Sequence, residues 1–141
     1  MARLILDTGV LVAAERGKLD LSSVVQASDD VTVAAIGIAE YLAGVYLADT
    51  DARRATRRAF LERILEVVPV EDYTPDIAEH HAFLLAHVRR MGHKRGAHDL
   101  VVAATARSTG RVIVTTDDRA RFGDLPDVEV RLVPRPSPAA P

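Results

Sequence analysis

Short, wholly apolar runs alternate along this chain with longer stretches in which apolar residues recur every three or four positions. Leu4–Leu6 is continuously apolar and predicts a strand buried on both faces. Thr8 to Glu15 then reads as a helix, ended by Gly17, and Leu19–Gln26 as a second short helix. Val31–Val33 predicts a strand. The spacing of Ile36, Leu42, Val45 and Tyr46 predicts a helix over Ile36–Leu47, weakened by Gly37 and Gly44. Asp51–Val67 carries the clearest amphipathic pattern, with Arg53, Arg54, Arg57 and Arg58 opposite Phe60, Ile64 and Leu65. Val67–Val70 contains Pro69, so a strand there must lie at an edge or start late. Pro75 opens a helix that runs over Asp76–Met91 to Gly92. Asp99–Ser108 predicts another helix, Arg111–Thr115 a strand and Val128–Val133 the last strand.

Strands alternating with helices predict an α/β fold of three layers, with a mostly parallel sheet between helices. Residues 1–134 are expected to form that domain. Residues 135–141, rich in proline, are expected to be a tail that joins no ladder. The acids matter more than the elements. Asp7 follows the first strand, Glu40 lies within a helix, Asp99 opens another and Asp117 follows the strand ending at Thr115. In such sheets, ligands bind beyond the carboxyl ends of the strands. Acids at those junctions can converge there. Converging carboxylates repel unless a cation or protons offset them. Each acid also has a plain role open to it. Asp7 and Asp99 suit helix caps, Glu40 could be a solvated charge on an otherwise apolar stretch, Asp117 suits an Asx-turn, and Asp118 could replace Asp117 as the functional acid.

Composition narrows the chemistry. The chain has 141 residues, no cysteine and a net charge of −2. Thiolate metal sites and disulfides are excluded, and any nucleic-acid affinity must come from a local basic patch. Met1-Ala2-Arg3 followed by a short apolar run does not read as a signal peptide, and no run reaches membrane-spanning length, so the cytoplasm is the expected location. The oxygen-only donor set favours Mg²⁺ or Mn²⁺. The histidines His80, His81, His87, His93 and His98 form no H-E-x-x-H zinc motif. No nucleophile elbow or phosphate-cradling glycine loop is present either.

Four segments together carry a resemblance: Leu4-Ile5-Leu6-Asp7-Thr8, then Ile38–Gly44 around Glu40, then Ala97–Ala106 around Asp99, then Val112–Asp117. In this order and spacing the chain resembles a PIN-domain ribonuclease of the VapC toxin type. The resemblance implies a metal-dependent endoribonuclease held inactive by a cognate antitoxin, and a homodimer. It carries the catalytic and metal-binding roles onto Asp7, Glu40, Asp99 and Asp117, with Thr8 and Thr115 as supporting hydroxyls. Gly37 departs from the pattern, standing where a small hydroxyl residue is common.

Two basic clusters are candidates for RNA. Arg89, Arg90, Lys94 and Arg95 flank Gly92 just before Asp99 and are the better placed for phosphate. The Arg53–Arg58 face is the second. Apolar residues around Val45, Tyr46 and Leu47 are candidates for association. A metal-dependent phosphatase, or a degenerate fold that only binds RNA or protein, would use the same scaffold. A receiver domain fits poorly, because Asp7 has no neighbouring acid and no lysine follows Val114.

Overall fold

The structure is a computed structural model and describes residues 1–134. The elements run β1 (Arg3–Leu6), α1 (Thr8–Glu15), β2 (Asp30–Ala34), α2 (Ala35–Tyr46), α3 (Asp51–Val67), β3 (Val70–Glu71), α4 (Pro75–Met91), α5 (Ala97–Thr109), β4 (Val112–Thr115) and β5 (Val130–Leu132). The strands form one five-stranded sheet in the order β3-β2-β1-β4-β5, and every pairing is parallel. β1 is central. The chain leaves it on one side through β2 and β3 and returns on the other through β4 and β5, which puts the switch point between β1 and β4.

Alternation along the strands builds two cores. Ile5, Ala34 and Ile113 face α4 and α5, where Ile77, Leu84, Leu100 and Ala103 close one layer. Leu4, Leu6, Val33 and Val114 face α1, α2 and α3, where Val10, Tyr41, Val45 and Leu61 close the other. This is the three-layer arrangement expected from the sequence. Pro69 has the foreseen effect: β3 starts after it and is the edge strand. No helix among the described residues is long and apolar enough to cross a membrane.

Three expectations are corrected. The helix over Leu19–Gln26 is only a 3-10 turn, Leu21–Ser23. There the Ser22 hydroxyl donates to Asp20 Oδ1 (2.7 Å), the Ser23 hydroxyl to Asp20 O (2.6 Å) and Gln26 N–H to Asp29 Oδ2 (2.8 Å). These local bonds compete with the helical ladder. The helix expected to open at Asp99 begins at Ala97, so Asp99 lies in its first turn rather than at its cap. Val45 is buried in the core at 2% exposure, leaving Tyr46 and Leu47 as the exposed apolar pair of the expected association patch. The proline-rich segment 135–141 lies outside the described residues.

Candidate functional site

Asp7 stands where β1 turns into α1. Its extended backbone makes it the N-cap, and its carboxylate accepts from Thr8 N–H at 3.0 Å. The capping role open to it in the sequence is thus real. It uses only one oxygen. The other, Oδ2, accepts from the Thr115 hydroxyl at 2.8 Å, at the end of the neighbouring strand β4. Asp7 N–H also donates to Val114 O, tying the two strand ends together. Burial pushes the Asp7 carboxyl up from its ordinary value, against the opposing effect of the Thr115 and Thr8 hydrogen bonds, and the charge of Asp117 adds to the rise.

The other acids approach from three elements. Asp99, in the first turn of α5, is half-buried. Its carboxyl is raised first by burial and then by Asp7 and Asp117, while His98 and Arg95 oppose the rise. Glu40 comes from the middle of α2. It is raised by burial, lowered by His98, and raised again by Asp7 and Asp99. The His98 imidazole lies 3.6 Å from Glu40 Oε1. α2 is anchored for this by Tyr41, whose hydroxyl donates to Arg57 O on α3 at 2.8 Å. Asp117 follows β4. Its N–H donates to the Thr115 hydroxyl, and its Oδ1 accepts from Arg119 and Ala120 N–H at 2.9 and 3.3 Å. It is an Asx-turn residue and also sits within electrostatic reach of Asp7 and Asp99. Asp118 is exposed, and none of the three perturbed carboxylates feels its charge.

The four acids therefore lie around the switch-point edge of the sheet, with Glu40 and Asp117 each in electrostatic reach of Asp7 and Asp99. Among the described residues no three of them are drawn close enough to share a single ion. The donor set is all oxygen, and its mutual repulsion is what a hard divalent cation would relieve. The residues suit Mg²⁺ or Mn²⁺ in charge and chemistry.

Glycine contacts shape the surroundings. A Cβ on Gly37 would stand 3.2 Å from the Thr8 hydroxyl, which donates to Gly37 O at 3.3 Å. The hydroxyl missing from position 37 is thus matched by one arriving from α1. Gly96 is tighter: a Cβ there would fall 2.8 Å from Asp99 Oδ2. Gly96 has an extended backbone that any residue adopts, so its need is for space. Gly96→Ala should displace the Asp99 carboxylate, lowering catalysis roughly 10-fold or more, as loss of a supporting group does, while the melting temperature stays near wild type. A cleavage rate equal to wild type would show that Asp99 tolerates the shift.

The basic cluster before Asp99 divides. Lys94 and Arg95 line a cleft of about 420 Å³ that reaches Asp99 and Asp117, whereas Arg89 and Arg90 do not line it. Arg95 is largely committed, donating to Ala120 O and Arg121 O and so bracing the opposite wall. That wall holds Arg119 and Arg121, which sequence reading missed. The available signal was the run Asp117-Asp118-Arg119-Ala120-Arg121 directly after a strand. The second arginine face is also committed. Arg53 pairs with Asp49, Arg54 with Asp51, Arg57 donates to Gly44 O, and Arg58 lies over the Tyr46 ring.

Comparison with known proteins agrees with this architecture. The family model of the PIN domain matches residues 4–127. The chain is similar to Ribonuclease VapC5 of Mycobacterium tuberculosis, 36% identical over 117 residues that cover 81% of this chain and 82% of that protein. Among solved structures it resembles VapBC-5 of Mycobacterium tuberculosis, a member of the VapBC family of toxin-antitoxin systems, with a TM-score of 0.79 at 30% identity over 94% of this chain and 100% of that one. VapBC2 from Rickettsia felis shares the fold, with a TM-score of 0.83 at 18% identity over 93% of this chain and 98% of that one. With nearly the whole sheet and all four acids inside the matched segment, the chain belongs to the PIN domain family.

Proposed function

We propose that this protein is a metal-dependent endoribonuclease and the toxin of a toxin–antitoxin pair, acting in the cytoplasm. The observation that carries the reading is that Glu40, Asp99 and Asp117 lie within electrostatic reach of Asp7 at one sheet edge. The relatives named Ribonuclease VapC support RNA as the substrate. The VapBC complexes among the structural relatives support an antitoxin as the partner. Bound Mg²⁺ or Mn²⁺ would supply a water of lowered pKa and charge to neutralise the phosphoryl oxygens.

Asp7, Glu40, Asp99 and Asp117 are the carboxylates that would draw in around bound metal. Thr115 fixes the Asp7 carboxylate through its hydroxyl and, through the Asp117 N–H, the start of the following loop. Thr8 steadies α1 against α2 at Gly37. Lys94 is the member of the first basic cluster that is both uncommitted and beside the acids, with Arg89 and Arg90 as outer contacts for the RNA strand and Arg95 as the brace of the cleft. A homodimer belongs to the same reading. Tyr46 and Leu47, 72% and 83% exposed, are the apolar residues offered for association.

The test is cleavage of RNA by the purified protein with Mg²⁺ or Mn²⁺ and again in excess EDTA, with sedimentation at micromolar concentration alongside. Cleavage is expected only with the metal, from a dimer. Cleavage that persists in EDTA would sink the metal mechanism. Hydrolysis of a small phosphate ester without RNA cleavage would favour the phosphatase.

A further inference from the structure

The cleft beside the acids is two-toned. Asp99 and Asp117 line it together with Lys94, Arg119 and Arg121, and His87, His93 and Asp124 complete its polar surface. Arg121 is spent on Asp124, 2.8 Å away. Lys94 and Arg119 make no ion pair among the described residues, so two free cations face a cleft whose acids are Asp99 and Asp117 of the candidate metal site and Asp124, already paired with Arg121. An apolar side accompanies them. Val88 is half-buried, Leu125 is buried, and Met91 at the end of α4 is 58% exposed although the core nearby is closed. The two walls are held at a fixed separation, because Arg95 donates across the cleft to Ala120 O and Arg121 O. The volume of about 420 Å³ lies within the roughly 300–1,000 Å³ of small-molecule sites.

We infer that this cleft is a subsite for a single ribonucleotide of the RNA strand, adjacent to the phosphodiester held at the acids. It takes the base against Met91, Val88 and Leu125, and the phosphate between Lys94 and Arg119. The inference deepens the ribonuclease reading and rests on it for the name of the strand. The chemistry fits both halves. A free ammonium and a guanidinium meet a phosphate without displacing existing partners. An unbranched thioether beside aliphatic side chains offers a flat, adaptable surface to any base. Such a site tolerates all four bases and grips through apolar contact and charge rather than through base-edge hydrogen bonds.

Binding can be read without catalysis. The protein is titrated in EDTA with each of the four nucleoside 5′-monophosphates, and separately with inorganic phosphate, while backbone amide NMR shifts are followed. The monophosphates are expected to shift amides of residues 91–96 and 119–125 and to bind at least about twofold more tightly than phosphate, the low end of a thioether–aromatic contact. Met91→Ala should bring monophosphate affinity down toward that of phosphate, and Met91 is exposed enough for the variant to fold. Lys94→Ala with Arg119→Ala should weaken both probes. Equal affinity for phosphate and monophosphates, shifts confined to other surfaces, or an unchanged affinity in Met91→Ala would overturn the subsite. A wild-type protein that binds monophosphates here yet cleaves no RNA with Mg²⁺ would keep the subsite and remove the ribonuclease reading, so the two failures are distinguishable.

Discussion

Asp7→Asn is expected to lower RNA cleavage by at least about 100-fold while raising the melting temperature of the metal-free protein. The first half follows from position. Groups that merely support a metal-binding side chain cost about 10–100-fold when removed, and a carboxylate at the hub of the site should cost no less. The second half follows from electrostatics. Asp7 is 9% exposed, burial raises its carboxyl above the ordinary value, and Asp117 raises it further. Asn keeps an N-cap oxygen for Thr8 N–H but carries no charge. Glu40→Gln and Asp99→Asn should behave alike, since their carboxyls are raised as well.

The sign of the pH effect is fixed by the same shifts. A carboxyl raised in the folded state binds its proton more tightly there than in the unfolded chain. Its stabilising contribution is complete below the unfolded values of 3.8 for Asp and 4.5 for Glu, and is lost as pH rises through the folded value. Asp20 and Asp29 are lowered instead, so their contribution is present above 3.8 and fades only in stronger acid. Melts in EDTA should therefore show higher stability at about pH 5 than at about pH 7.5, and Asp7→Asn should shrink that difference. An active Asp7→Asn, or a metal-free melt that is no higher than wild type, would contradict the charged-hub account.

Much of this site was legible in the sequence because it sits at element boundaries. A continuously apolar strand followed by Asp-Thr at residues 7–8, and another followed by Thr-Thr-Asp at 115–117, fix where those side chains emerge. Parallel pairing of β1 with β4 then brings them together. Glu40 was legible only through the order of the four segments, since nothing within Ile38–Gly44 aims a helix at a sheet edge. What could not be read was commitment. Arg53, Arg54, Arg57 and Arg58 look free as a string of letters, yet each meets an acid, a carbonyl or a ring. Arg95 looks like a phosphate ligand and is a brace. Long side chains choose partners by tertiary proximity, which periodicity does not encode. The turn at Leu21–Ser23 failed for the opposite reason: its hydroxyls choose the nearest backbone, and the apolar spacing of Leu19–Gln26 hides that.

Arg111 is the largest structural consequence of such a hidden partner. In sequence it is the first residue of a strand. In the fold it is 8% exposed just before β4, at the opposite end of that strand from Thr115. Its Nη1 donates to Asp30 O (2.9 Å), Asp30 Oδ1 (3.1 Å) and Leu4 O (3.3 Å), and its Nε to Glu71 Oε1 (3.2 Å). One guanidinium thus ties β1, β2 and the two-residue edge strand β3 to the start of β4. Asp30 has a second cation in Arg3, 2.9 Å away, whereas Glu71 has no other ion pair among the described residues. Removing one partner of a fully buried pair costs about 3–5 kcal/mol. Because Asp30 and Glu71 remain partly exposed, Arg111→Met should cost less, about 2–3 kcal/mol. For a chain of this size that is a fall of roughly 8 °C in melting temperature. Arg111→Lys should recover part of it, since a point charge satisfies one acid but not the whole fork. RNA cleavage by the folded fraction should be unchanged, because the acids lie at the other end of the sheet. A melting temperature equal to wild type would mean that water replaces the guanidinium without loss. A selective fall in cleavage would mean that Arg111 sets the strand ends that carry Asp7 and Thr115.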